Sequence, residues 1–108
     1  MTLTREFRKT IWVRAHRDRR FRQALLTDAV GELLAGDVGA GKAMLRDYVN
    51  ATITFEGLAK AAGKHSKSLQ RMLGPSGNPT AESLFGIIKV LQDAERVHLE
   101  VKASLKAA

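Results

Sequence analysis

FEGLAKAAGKHSKSLQRMLG, residues 55–74, is the stretch whose reading decides the fold. Thr54 stands before it as a helix cap, Gly63 interrupts it, Ser66 can cap a second short helix, and Gly74-Pro75 ends that one. Two short helices joined this closely pack at a steep angle. That packing requires a small residue at the crossing, a turn glycine able to take positive φ, and apolar side chains behind both helices. Ala59, Gly63 and the set Leu58, Ala62, Leu69 and Met72 meet those three requirements in order. The helical period then leaves His65, Ser66, Lys67, Ser68, Gln70 and Arg71 outward or along an edge.

Those outward residues are hydrogen-bonding types. Gln matches an adenine edge, Arg or Lys a guanine edge and Ser either, while the helix start with its Ser66 hydroxyl can hold a phosphate. Residues 63–80 contain Lys64, Lys67 and Arg71 with no acid, net +3. A solvated polar face on an ordinary helical hairpin is the plainer alternative. The segment resembles the helix-turn-helix of lambda-repressor-like, Xre-type regulators, in which an alanine and a glycine four residues apart and the inward apolar positions occur in this order. The resemblance implies an all-α bundle of five or six helices. Lys64 departs from it, standing where the family usually has an aliphatic residue, and either loosens the turn or makes a phosphate contact.

Further along, GPSGNPTAESLFGIIKVLQ (74–92) extends the resemblance to the antidote (antitoxin) proteins of addiction modules, which follow the second helix with a Gly-Asn-Pro loop and an amphipathic helix. Gly77, Asn78, Pro79 and Thr80 stand in that order. Thr80 caps a helix whose core face is Leu84, Ile87, Ile88 and Leu91, and the loop would offer Asn78 and Thr80 to a DNA backbone. With LRDYVNAT (45–52), the resemblance spans about residues 45–92. It implies sequence-specific binding to double-stranded DNA by a homodimeric transcriptional repressor, through Lys64, His65, Ser66, Lys67, Ser68, Gln70, Arg71, Asn78 and Thr80. The alternative is an antitoxin-type interaction module that neutralises an RNA-cleaving toxin protein, with DNA contact secondary.

Upstream, Thr4 caps a helix with Phe7, Ile11 and Ala15 on one face, and Asp18 caps a longer one buried through Phe21, Leu25, Leu26, Ala29, Val30, Leu33 and Leu34. Gly36 ends it, and Asp37 opens a third helix through Met44, Leu45, Tyr48 and Val49. The chain divides into a basic N-terminal helical extension (1–36), the core (37–94) and a tail (95–108). Val97, His98, Leu99, Glu100 and Val101 alternate as a short C-terminal β-strand would, and a lone strand would need a partner such as a second copy. Residues 1–26 hold eight basic and two acidic groups, net +6, centred on Arg14, Arg17, Arg19, Arg20 and Arg22. That cluster reads as a solvated helix-helix corner held by Asp18 and neighbouring acids, or as a contact to phosphates flanking the site.

The whole chain has 108 residues, 18 Lys and Arg against 11 Asp and Glu, net +7, and no cysteine. It is long enough for one core and basic enough to make a polyanion the first partner to consider. Without cysteine there is no disulfide, thiolate nucleophile or zinc finger. No signal peptide or membrane span is visible, so a cytoplasmic protein with no membrane partner is expected. Gly36 to Lys42 fits the GxxxxGK spacing of a phosphate-binding loop, but residue 43 is Ala and the preceding segment is helical, so nucleotide binding is not expected. His16, His65 and His98 are too scattered for a metal site, and Trp12 and Tyr48 read as core or interface residues. Neither cofactor, metal nor catalytic residues are expected, and the chain reads as no enzyme.

Overall fold

In the computed structural model, which describes residues 5–107, the chain forms six helices: α1 (Arg5–Arg17), α2 (Arg19–Leu34), α3 (Val38–Ala51), α4 (Thr54–Ala62), α5 (Ser66–Met72) and α6 (Ala81–Glu95). Short polar side chains set most of the starts. Asp18 Oδ1 accepts from Phe21 N at 3.1 Å, Asp37 Oδ1 from Ala40 N at 3.0 Å, and Thr80 Oγ1 from Ser83 N at 3.1 Å. At α4 the cap position falls to Ile53, whose apolar side chain makes no capping bond, and Thr54 becomes the first residue of the helix, with φ +69° and its hydroxyl accepting from Gly57 N. The Thr4 cap lies outside the described residues.

At the start of α5 the capping residue is His65, not Ser66. His65 is extended, with ψ 136°, and its carbonyl accepts from Leu69 N at 3.1 Å, so the helical ladder begins one residue earlier than the hydroxyl suggests. The Ser66 hydroxyl instead accepts from Gln70 Nε2 at 3.1 Å, one turn along.

α2 and α3 form an antiparallel hairpin with the most extensive helix-helix contact, α1 lies across α3 and α2, and α4 bridges α3, α5 and α6. The core draws Leu26 and Ala29 from α2, Leu45, Tyr48 and Val49 from α3, Phe55 and Leu58 from α4, Leu69 from α5, Leu73 just beyond it, and Leu84, Ile87, Ile88 and Leu91 from α6. Burying a Leu or Ile of this kind contributes about 1.5–3 kcal/mol, which is why these short helices hold in a common body. Two edges of the expected faces stay outside: Phe7 and Leu34 are exposed, and Trp12 lies half exposed on α1 with its ring against His16, centroids 4.0 Å apart and planes tilted by 38°.

The expected C-terminal strand does not form; among the described residues there is no strand. Arg96 takes φ +59° and turns the chain sharply after α6, Val97 N donates to Gln92 O at 3.0 Å, and Leu99 N donates to Gln92 Oε1 at 2.9 Å. Val97 and Leu99 then pack on the core of their own chain, while Val101 is exposed. The alternation is that of an irregular tail resting one side on the core. No helix among the described residues is long and apolar enough to cross a membrane.

Candidate nucleic-acid interface

α4 and α5 are held at their angle by one left-handed residue. Gly63 sits at φ +66°, ψ 35°, where a side chain would be strained, and the N–H groups of Gly63 and Lys64 both reach Ala59 O. Behind the turn, Leu58 and Leu69 are fully buried, whereas Ala59, Ala62 and Met72 are half-buried. In front, Lys64, His65, Lys67, Gln70 and Arg71 are exposed, and Ser66 and Ser68 are half-buried at the helix edge. Five residues, Lys64, His65, Lys67, Gln70 and Arg71, thus leave α5 and its turn toward solvent, and none is an acid.

The far end of α5 is fixed by two cations of α3 that the sequence pattern did not single out. Arg46 Nη1 donates to Leu73 O at 3.0 Å, and Lys42 Nζ donates to Gly74 O at 3.2 Å and Gly77 O at 2.5 Å. The last carbonyls of a helix carry partial negative charge and lack intrahelical partners, so Arg46 stabilises the cap carbonyl of α5, while Lys42 ties down the two carbonyls of the loop that follows. Lys42 is buried to do so, only 7% exposed. The spacing of four between Lys42 and Arg46, one turn on a single helix face, was the available signal.

Gly77 brings the following loop against α5. A Cβ on this residue would lie 2.1 Å from Arg71 O and 2.6 Å from Met72 O, so only glycine allows the approach. The loop therefore runs beside the second helix, and a shallow groove lined by Ser68, Arg71, Asn78 and Thr80 joins the two. Asn78 is exposed there. Thr80 is exposed too, but its hydroxyl accepts from Ser83 N and donates to Ser83 Oγ at 3.0 Å, so the α6 cap already occupies its donor.

On the other side of α5 a second groove runs between α3, α4 and α5, lined by Arg46, Asn50, Glu56, Ser66 and Gln70 among others. Glu56 is its carboxylate. Gln70 donates to Ser66 one turn earlier on the same helix, which orients the amide along the helix face.

The basic segment at the α1–α2 corner is organised differently. Arg22 turns inward, donating from Nε to both oxygens of Glu95 at 3.1 and 3.2 Å and from Nη1 to Ala15 O at 2.7 Å. Tyr48 also donates its hydroxyl to Glu95 Oε1 at 2.5 Å. Burial, reinforced by that hydrogen bond to a carboxylate, raises the Tyr48 pKa well above its ordinary value. Arg14 lies 4.0 Å from Asp18 and 4.5 Å over the Phe21 ring. No protein-family model, curated protein or solved structure matches this chain.

Proposed function

We propose that the protein is a sequence-specific DNA-binding transcriptional regulator, a homodimeric repressor whose α4–turn–α5 unit works as a lambda-repressor-like helix-turn-helix. The observation that carries this reading is the acid-free, hydrogen-bonding face of α5, set at a fixed angle by Gly63 and anchored at its far end by Lys42 and Arg46. A major groove admits one helix and presents base edges that Gln70 and Arg71 can pair with bidentately, while Lys64, Lys67 and Asn78 suit phosphates. A seven-residue helix reaches few base pairs, so two copies one DNA turn apart, about 34 Å, would supply the specificity.

Selection of bound duplexes from a random pool at low salt tests the proposal. The expected result is an enriched site with two related half-sites about one turn apart. Enrichment of no sequence over the pool would sink it.

A further inference from the structure

The groove between α3, α4 and α5 and the groove beneath α1 meet at one residue. Asn50, exposed near the end of α3, lines the first together with Ser66 and Gln70 and the second together with Arg8, Lys9 and Trp12. The N-terminal half of α1 therefore lies on the same side of the molecule as the start of α5, with the end of α3 as the bridge. α1 carries Arg5, Arg8, Lys9, Arg14 and Arg17 against Glu6 alone. Arg14 has Asp18 within 4.0 Å, but among the described residues neither Arg8 nor Lys9 has a carboxylate at ion-pair distance, and both are exposed. Exposed cations beside a groove, with no carboxylate at ion-pair distance, attract a polyanion.

We propose that Arg8 and Lys9 form a second DNA contact, holding backbone phosphates that flank the base pairs facing α5, so that one duplex passes Asn50 from the α5 groove to α1. The proposal rests on the DNA-binding reading above and extends its footprint. An acidic protein would also suit a basic helix bearing Trp12, but the continuity of the two grooves through Asn50 favours a single long polyanion. Asp47 is the carboxylate lining the α1 groove. Its half-buried position raises its pKa, while the charges of Arg46 and then Arg8 pull it down. Its negative charge opposes a phosphate at Arg8, so removing it should strengthen the contact.

The test is the salt dependence of affinity for a duplex recovered by selection, measured with the full chain. Each phosphate contact contributes about 0.9 to the slope of log K against log salt, so Arg8→Ala with Lys9→Ala should reduce the slope by about 1.8. Base preference and melting temperature should stay at the wild-type values, Arg8→Lys should keep the slope, and Asp47→Asn should tighten binding several-fold. Trimming the flanks from the duplex should lower the wild-type slope to that of the double variant. An unchanged slope in the double variant, with Gln70→Ala still losing base preference, overturns the α1 contact alone; a full wild-type slope on the trimmed duplex does the same. A wild-type chain that binds no duplex at low salt overturns the DNA-binding reading on which the contact depends.

Discussion

Two basic stretches, Arg14 to Arg22 and Lys64 to Arg71, look alike as runs of letters and are used in opposite ways. In the first, Arg22 is clamped by Glu95 and the Ala15 carbonyl, and Arg14 is shared between Asp18 and the Phe21 ring. In the second, the cations project from a turn and helix that carry no acid. Charge density alone does not separate a structural role from a binding role. What separates them is whether the fold delivers a carboxylate to the cation. The comparison predicts that changes at Arg22 and its partners cost stability, whereas changes in the second stretch cost binding; Arg17, Arg19 and Arg20, exposed and in no ion pair among the described residues, share neither clamp.

The largest expected effect is at Glu95. Its side chain is 4% exposed and accepts from both Arg22 and Tyr48, so Glu95→Ala leaves the partly buried Arg22 without its counter-charge, held by the Ala15 carbonyl alone, and takes away the acceptor of the Tyr48 hydroxyl. Removing one member of a buried ion pair costs about 3–5 kcal/mol, which urea unfolding should report as a lowered midpoint. DNA affinity per folded molecule should be unchanged. A loss below about 1 kcal/mol would mean that Arg22 belongs with the exposed arginines and that the contrast between the two stretches is false.

Next comes Gly77, which links fold to face. Gly77→Ala forces a methyl against the Arg71 and Met72 carbonyls, and overpacking of this kind costs about 1–3 kcal/mol. The loop should lift away from α5 and loosen the carbonyls that Lys42 grips, so DNA binding should weaken together with stability. A Gly77→Ala protein with wild-type melting and affinity would show that the loop does not press on α5.

Effects of about 1–3 kcal/mol in binding are expected from Gln70→Ala and Arg71→Ala on the selected site, with relaxed base preference at the positions each residue faces. Stability should move by no more than about 0.5 kcal/mol, because both side chains are exposed. Equal loss on all sequences would reassign these residues to phosphate contact.

Much of the fold was legible because its determinants are local. Asp18, Asp37 and Thr80 cap within three residues, Gly63 turns where two apolar patterns meet, and Leu58, Leu69 and Ile87 follow the helical period. The tertiary partners were not legible. Arg22 meets Glu95 across 73 residues, Arg46 meets Leu73 O across 27, and Lys42 reaches carbonyls 32 and 35 residues away, distances over which periodicity says nothing. Carbonyl acceptors are also present at every residue, so the sequence gives no letter to mark the partner of a buried lysine. The tail misled for a related reason. A period of two arises whenever one side of an extended chain rests on apolar surface, and Val97 and Leu99 rest on their own core with no neighbouring strand.

The smallest effect expected is at Tyr48, and pH isolates it. Burial and the hydrogen bond to Glu95 raise its pKa in the folded chain, so the folded state holds the phenol proton more tightly than the unfolded state, where it leaves near pH 10. Stability from this group is fully present below about pH 10 and declines as pH rises above it, because only the unfolded chain ionises readily there. Tyr48→Phe removes one hydrogen bond, a loss of about 1 kcal/mol at neutral pH that is larger if Glu95 keeps no other partner than Arg22. The variant should also flatten the alkaline fall. Urea midpoints of wild type and Tyr48→Phe between pH 8 and about pH 11 should therefore converge as pH rises. Parallel curves would place the phenol outside the Arg22–Glu95 cluster and leave that cluster a simple ion pair. A DNA-binding assay of the same variant at neutral pH should show wild-type affinity, since Tyr48 is buried and bonded to Glu95, away from the exposed face of α5.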